Sequence, residues 1–178
     1  ITSGHLYQNT MTGESPKYST EYMSYYDRIP SDRMSQIRFK LIEDYLIDIK
    51  SVCDFGYGNG SFLKYCKDQG LYTYGYDISD YPTPEGIPKI SNIDNIEVDL
   101  ITFFDSLEHL NMPHLDTFLS RLITKNLIIS LPWFHENRGP EWFSSWKHRK
   151  PNEHYHHFDK HGMIELLTTS GYKLIHIG

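Results

Sequence analysis

A short apolar segment that leads into three closely spaced glycines places the tightest limit on the fold of this chain. Residues Ser51–Phe55 predict a strand, and glycines occupy every second position of the loop 56–60 that follows. Glycine accepts positive φ and lets backbone N–H groups approach a ligand closely. A helix and a second strand ending at Asp77 come next in the pattern. This order is typical of parallel strands joined by a helical crossover.

The same alternation continues over most of the chain. Apolar residues at helical spacing, with capping residues, predict helices over 32–48, over 60–69, after Pro113, and from Asp159 to Gly171. Apolar and β-branched runs predict strands over 51–55, 71–76, 98–104, 127–131 and 172–177. Alternating strands and helices with apolar strands indicate an α/β protein whose mostly parallel sheet has helices on both faces.

Two segments show no clean period. Residues 1–30 are expected to be irregular, and their tyrosines at 18, 22, 25 and 26 either form a lid over the site or pack on the surface. Residues 31–178 are expected to form a single domain. Within that domain, 133–158 is rich in Trp, His and basic side chains, and a long loop of this kind is more often functional than idle.

Charge and composition disfavour several classes of protein. The formal net charge of −6 argues against nucleic-acid binding by bulk charge. No apolar run approaches the roughly 18 residues of a membrane helix, so no membrane partner is expected. Cys53 and Cys66 lack CxxC spacing. We therefore expect a cytoplasmic, reducing location.

The loop and its acid point to an adenosine-containing ligand. Asp77 follows Gly60 by 17 residues and ends the next strand, where a carboxylate can accept hydrogen bonds from a ribose diol. The dinucleotide fingerprint G-x-G-x-x-G is not met, because Ser61 stands at its third glycine. A nicotinamide enzyme is therefore a minor alternative, as is a tight turn that binds nothing.

Several segments together resemble the class I S-adenosylmethionine-dependent methyltransferases. The run from Asp54 to Gly60 is similar to that family's motif D/E-x-G-x-G-x-G. Further similar segments are Tyr74-Gly-Tyr-Asp-Ile-Ser79, Asp99–Leu110 with its D-x-L-E-H-L end, Leu127–Pro132, and His156-His-Phe158 with Gly171-Tyr172. The resemblance covers roughly residues 35–178.

This resemblance implies a Rossmann-like, twisted sheet of seven strands with the last one antiparallel. The segment between Asp77 and Val98 is short, so strand three should be reduced. The chain ends after its sixth strand-like segment, so the last strand should be missing or shifted. An exposed sheet edge would then allow a dimer.

The resemblance also implies the cofactor, S-adenosylmethionine with S-adenosylhomocysteine as product, and the residues that hold it. Asp54 would hold the ammonium group, Asp77 the ribose hydroxyls, and Ile78 the adenine. Phe104 and Asp105 would offer backbone, although plain core packing is the alternative for Ile78 and Phe104. The full set of expected cofactor residues is Asp54, Gly56, Tyr57, Gly58, Gly60, Asp77, Ile78, Phe104 and Asp105.

The expected catalytic residues are histidines. His109 follows Glu108 and could work as an acid–imidazole pair or as a structural anchor. His156 or His157 is expected to face the transferred methyl group and to take a proton, the alternative being that both pin the loop to the last helix. His154 and its neighbours could also serve as metal ligands, but no metal site is predicted.

The resemblance implies that 133–158 is an insertion on the acceptor side of the site. The expected acceptor is a small molecule, a sugar or another metabolite ahead of protein. The N-P-P-Y-type motif of base-amino methyltransferases is absent, since Asp105-Ser-Leu107 stands in its place. Nucleic acid is accordingly disfavoured as a substrate. The alternative function from a different class is a non-catalytic domain that binds the cofactor or a partner.

Overall fold

The computed structural model describes residues 4–11, 13 and 32–178, and the tyrosines expected to form a lid lie outside these residues. The described chain divides into two compact units. The sheet unit comprises Lys17–Phe104 and Leu122–Ile129. The histidine-rich unit comprises Ile1–Pro16, Asp105–Arg121 and Ser130–Gly178.

Six strands and five helices are described. The strands are β1 His5–Tyr7, β2 Ser51–Phe55, β3 Tyr72–Tyr76, β4 Glu97–Phe104, β5 Ile123–Ser130 and β6 His156–Phe158. The helices are α1 Asp32–Tyr45, α2 Ser61–Asp68, α3 Leu115–Ser120, α4 Gly139–Ser145 and α5 Lys160–Thr169. Single 3-10 turns cover Ile93–Asn95, Leu107–His109 and Glu136–Arg138.

The sheet unit is built on a four-stranded sheet in the order β3-β2-β4-β5. β2 runs parallel to both of its neighbours, with Phe55 opposite Tyr76 on one side and Phe103 on the other. The chain leaves β2 for β3 and then returns to the opposite side of β2 as β4. This reversal places a switch point at the carboxyl end of β2, where open α/β sheets bind their ligands.

The helices α1 and α2 cover one face of this sheet because their apolar sides meet its strands. Their shared core contains Phe39, Ile42, Val52, Phe62, Cys66, Leu100 and Phe104. On the strands, the alternate residues Cys53, Phe55, Ile101 and Phe103 are also buried. Burial of both faces explains why the strands read as continuous apolar runs. The α/β fold with a mostly parallel, Rossmann-like sheet is therefore confirmed.

The segment after β3 is reduced, as expected. In place of a full strand, Lys89 forms one parallel bridge with Gly75. The N–H of Gly75 donates to Pro88 and its carbonyl accepts from Ile90, at 3.0 and 2.8 Å. Prolines remove ladder donors, and those at 82, 84 and 88 keep this segment from pairing further.

In the histidine-rich unit, part of the expected irregular N-terminus is a strand. β1 pairs antiparallel with β6, which sets Leu6 opposite His157. β6 is followed directly by α5, whose cap Asp159 accepts a hydrogen bond from the N–H of Gly162 at 2.9 Å. The sequence did not indicate β1, because a three-residue strand is defined by its distant partner and shows no period of its own.

One other segment holds elements that its pattern did not indicate, and one predicted strand is wrong. The segment 133–158 contains α4 and β6, although its period indicated neither. The expected strand over 172–177 is wrong, since no described residue after α5 is in a strand. Leu174 and Ile175 are exposed. Strand propensity is a preference for a half-buried pleated surface, and these side chains have no such surface.

None of the described helices has the length and apolar character needed to cross a membrane.

Candidate functional site

The glycine loop after β2 consists of left-handed backbone. Gly56, Gly58 and Gly60 have φ of 79°, 57° and 74°. An L side chain is strained in this region, so the loop favours glycine. At Gly60 a Cβ atom would also lie 2.5 Å from Cδ of Pro84. The loop turns tightly from strand to helix and presents bare backbone.

Asp77 is hydrogen-bonded to this loop. Its Oδ2 accepts from the N–H of Gly58 at 3.1 Å, and its Oδ1 accepts from the N–H of Ser79 at 2.8 Å. The side chain is half-buried. A carboxylate offers about four lone-pair sites, so two remain for other donors. Asp77 can therefore hold the loop and a ligand hydroxyl pair at once.

Asp54 is fully buried below the loop. Its Oδ1 accepts a hydrogen bond from Oγ1 of Thr102 at 2.6 Å. Burial raises the pKa of Asp54 to about 6, against the lowering effects of that hydrogen bond and of Arg38. The sequence analysis missed Thr102, which stands opposite Asp54 in the β2–β4 register. One polar residue within the apolar run of β4 was the available signal.

The remaining expected cofactor residues differ in what they expose. Ile78 is 75 % exposed, which rules out the core-packing alternative for this side chain. The side chains of Phe104 and Tyr57 are buried, Phe104 in the main core and Tyr57 beside Leu63. Only the backbone of these two residues is left for a ligand. Asp105 is exposed and left-handed, with φ of 54°.

Lys89 is a further neighbour of the loop that the sequence analysis missed. Its ammonium donates to the carbonyl of Ser79, directly after the Asp77 turn, and lies 5.6 Å from the ring centre of Tyr57. Its position follows from the Gly75 bridge, which no local pattern shows.

The expected catalytic histidines lie in the other compact unit, where two of them are tightly held. His156 is buried, and its Nε2 donates to the Leu110 carbonyl at 3.0 Å. Its Nδ1 lies 2.9 Å from Nε2 of His5. Burial lowers the pKa of His156 to about 3, so the ring is neutral and its lone pair accepts from His5. These contacts favour the anchoring role for His156.

His157 differs from His156 in its hydrogen bonding. Its Nε2 donates to the Arg149 carbonyl at 2.8 Å, and its other nitrogen has no hydrogen-bond partner within the described chain. The ring packs edge-on against Phe143, with 5.1 Å between centroids. Burial lowers the pKa of His157, so a lone pair is present at neutral pH.

Glu108, His109 and His154 form a separate cluster, in which Glu108 and His154 are buried and His109 is half-buried. Nε2 of His154 lies 4.0 Å from Oε1 of Glu108, and the rings of the two histidines are edge-to-face at 4.5 Å. Burial raises the pKa of Glu108 to about 8 and lowers that of His154 to about 3. The sequence analysis named each of these residues, but it did not predict that the segment of Glu108 and His109 lies beside His154.

An open parallel sheet with a glycine loop at its switch point, and a carboxylate after the next strand, defines a nucleotide-binding class of α/β protein. A family model described as a methyltransferase domain, Methyltransf_23, matches residues 22–177. The chain therefore belongs to this methyltransferase family.

Solved structures with the same fold agree. A methyltransferase dependent on S-adenosylmethionine from Archaeoglobus fulgidus is 17 % identical, with a TM-score of 0.62 over 87 % of this chain and 75 % of that one. The 1,6-didemethyltoxoflavin N1-methyltransferase of Burkholderia thailandensis, with bound S-adenosylhomocysteine, is 15 % identical, with a TM-score of 0.57 over 96 % and 85 %. Magnesium protoporphyrin IX methyltransferase from Synechocystis, also with S-adenosylhomocysteine, is 16 % identical, with a TM-score of 0.59 over 88 % and 76 %. No curated protein sequence matches the chain.

These findings confirm the expected class, an enzyme of the S-adenosylmethionine-dependent methyltransferases, and with it the cofactor. The assignment of individual residues to cofactor and acceptor stays a prediction.

Proposed function

We propose that this enzyme transfers a methyl group from S-adenosylmethionine to a small-molecule acceptor, a sugar or another metabolite. The observation that carries the proposal is the left-handed glycine loop hydrogen-bonded to Asp77 at the switch point of the sheet. The names of two related structures support the acceptor class, since toxoflavin precursor and magnesium protoporphyrin IX are small molecules. The acceptor atom is an oxygen, a nitrogen or a carbon.

The residues of the sheet unit suit the cofactor's parts. In this proposal Asp77 accepts the ribose hydroxyls with its two remaining lone-pair sites, and the exposed Ile78 covers the adenine. Asp54 attracts the ammonium group through water, because its side chain is buried below the loop. The glycines pass along the methionine part, while Phe104 and Asp105 offer backbone.

When bound, the cofactor supplies a methyl group that is already activated by its positive sulfonium. The chain has to align an acceptor with that group, exclude water and remove a proton where the acceptor carries one. Aromatic walls favour a positively charged sulfonium through cation–π attraction.

An aromatic surface in the histidine-rich unit is our candidate for acceptor binding. Trp142 and Trp146 stack at 5.3 Å between centroids, and His135 lies edge-on to Trp142 at 5.6 Å. The guanidinium of Arg138 stands 5.3 Å from the ring centre of Trp142. Flat apolar faces edged by donors suit a ring-shaped polar molecule such as a sugar or a heterocycle.

We assign proton removal to His157 and keep His109 and His156 as weaker candidates. A neutral imidazole with one nitrogen donating to a backbone carbonyl keeps its lone pair on the other nitrogen. His157 meets this condition, since its Nε2 bonds Arg149. The lone pair of His156 is already used by His5.

Replacing His157 and His156 singly by Gln tests this assignment. S-adenosylhomocysteine formation is measured by mass spectrometry over a panel of sugars and hydroxylated heterocycles. His157→Gln should lower turnover about 100-fold, with cofactor affinity and melting temperature retained. His156→Gln should lower the melting temperature and lose activity in proportion. Full turnover in His157→Gln would contradict the assignment.

We also propose a cytoplasmic location. Its support is that Cys53 and Cys66 are both free and buried. Burial raises the pKa of both thiols, which keeps them protonated and unreactive.

A further inference from the structure

A three-residue cluster in the histidine-rich unit has the composition of a metal site. Glu108 and His109 belong to the 3-10 turn Leu107–His109, and His154 comes two residues before β6. One ligand atom from each of the three side chains lies within 4.8 Å of the other two. The backbone fixes this meeting, since the N–H of Tyr155 donates to the carbonyl of Glu108 at 2.8 Å.

The Glu108 carboxyl is buried without a hydrogen-bond partner within the described chain. Its side chain is 2 % exposed, and neither oxygen has a hydrogen bond within the described chain. The nearby ammonium of Lys150 lies 2.9 Å from Glu153 instead. A buried polar group left unsatisfied costs about 1–3 kcal/mol, and more when charged. A cation between Glu108 and the imidazoles would remove that cost.

Both imidazole rings lie beside a backbone acceptor. That acceptor belongs to Glu153 for the ring of His109 and to His148 for the ring of His154. Metal-binding histidines usually donate their other N–H in this way, which fixes the tautomer and aims the lone pair at the metal. Nε2 of His154 indeed faces Oε1 of Glu108.

We propose that Glu108, His109 and His154 bind one divalent transition-metal ion, with Zn²⁺ as the preferred ion. Two imidazoles and one carboxylate are a ligand set that Zn²⁺ accepts, and they leave a fourth position for water or an oxygen of a bound molecule. Bonds of about 2.1 Å in a tetrahedron put ligand atoms about 3.4 Å apart. The observed 4.0 Å between Oε1 and Nε2 is close to that separation.

This proposal departs from the sequence-based expectation of no metal and is independent of the proposed methyl acceptor. The competing explanation is a structural pair in which Glu108 is protonated and no ion binds. The cluster is not a chance meeting of charged side chains on the surface, since Glu108 and His154 are both buried.

The test is calorimetric titration of Zn²⁺ into the tag-free, chelator-dialysed full chain. We expect one ion per chain. Glu108→Gln, His109→Ala and His154→Ala should each raise Kd at least about tenfold. His161→Ala and Glu165→Gln are the matched controls, because both side chains are exposed on α5. Their Kd should equal that of the unchanged chain.

A second measurement covers variants that do not fold. Co²⁺ is added to the unchanged chain, and the d–d absorption of a tetrahedral nitrogen and oxygen site is expected to appear and to be lost on Zn²⁺ addition. No ion bound, or binding that the controls weaken as much as the three cluster variants do, would overturn the proposal. So would a Co²⁺ spectrum identical to that of the free ion.

Discussion

The burial of the Asp54 carboxyl group lowers the free energy of unfolding of the chain. This carboxyl group is buried, and a single side-chain hydrogen bond from Thr102 offsets part of the lost hydration. Burial raises the pKa to about 6, from 3.8 for the free side chain. A residue retained at such a cost is a good candidate for binding a cation, here the ammonium group of the cofactor.

Replacement by Asn should reveal this cost as a pH dependence. The folded pKa lies above the unfolded one, so the folded chain binds the proton more strongly. The free energy of unfolding contributed by Asp54 should therefore be greatest below pH 4 and be lost as pH rises to 6, by about 3 kcal/mol. The Asp54→Asn variant should lack this pH dependence of the free energy of unfolding, because Asn does not titrate.

Urea unfolding of both proteins from pH 4 to 8, without cofactor, measures the difference directly. Subtracting one profile from the other cancels the titration of other groups, including the buried histidines. The Asn variant should gain relative stability through this window and bind S-adenosylhomocysteine more weakly. Parallel profiles would show that Asp54 is not destabilised by burial.

At the residue scale, the local motifs could be identified from the sequence, but the distant residues that contact them could not. The loop glycines, Asp54 and Asp77 could be identified because their roles depend on a few neighbouring residues. Thr102 and Lys89 reach the same site through strand pairing, which the sequence alone does not show. The Glu108–His154 approach joins residues 46 positions apart and was missed for the same reason.

The turn from β2 into α2 depends on the absence of a side chain at Gly60. Alanine there carries the left-handed cost of about 1–2 kcal/mol and also meets the stiff ring of Pro84. Gly70 is the matched control, with φ of 90° and no atom within 4 Å of a Cβ.

Gly60→Ala should therefore lower the free energy of unfolding more than Gly70→Ala, by about 1 kcal/mol or more. It should also weaken cofactor binding, which Gly70→Ala should leave unchanged. Urea unfolding and calorimetry measure both effects. Equal losses at the two positions would mean that Pro84 gives way and the loop is not constrained.

Packing of α5 against the N-terminal segment gives a second prediction. Gly162 is helical, and alanine in a helix is normally more stable than glycine by about 0.8–1 kcal/mol. Here the added Cβ would meet the backbone oxygen of Gly4, next to β1. Gly162→Ala should therefore lower the melting temperature, while the adjacent His161→Ala, at an exposed position, should not. A rise in both melting temperatures would contradict this packing.

Helices and strands with a hydrophobic period of their own were predicted well from the sequence, and short elements without such a period were not. The predicted helix over 32–48 appears as α1, and the strand over 98–104 as β4. β1 and β6 exist because each supplies the other's hydrogen bonds. The apolar residues after α5 have strand propensity without a partner, so the strand predicted over 172–177 does not form.

At the scale of the whole molecule, the chain passes between its two compact units directly after β4. Phe104 ends a segment of the sheet unit, and Asp105 begins one of the histidine-rich unit. The cofactor candidates before this point belong to the first unit, and the histidine candidates belong to the second. Each unit thus carries its own testable chemistry, and the cofactor assignment rests on the sheet unit.

Calorimetric titration of S-adenosylhomocysteine, with NADH as the comparison ligand, tests the central claim most directly. We predict one site with micromolar Kd, about −8 kcal/mol, and no binding of NADH. Asp77→Ala should weaken binding by about 1.5–3 kcal/mol while the fold survives, and the exposed Asp80→Asn should not. Binding of NADH without S-adenosylhomocysteine, or an Asp77→Ala variant with unchanged affinity and melting temperature, would contradict the account.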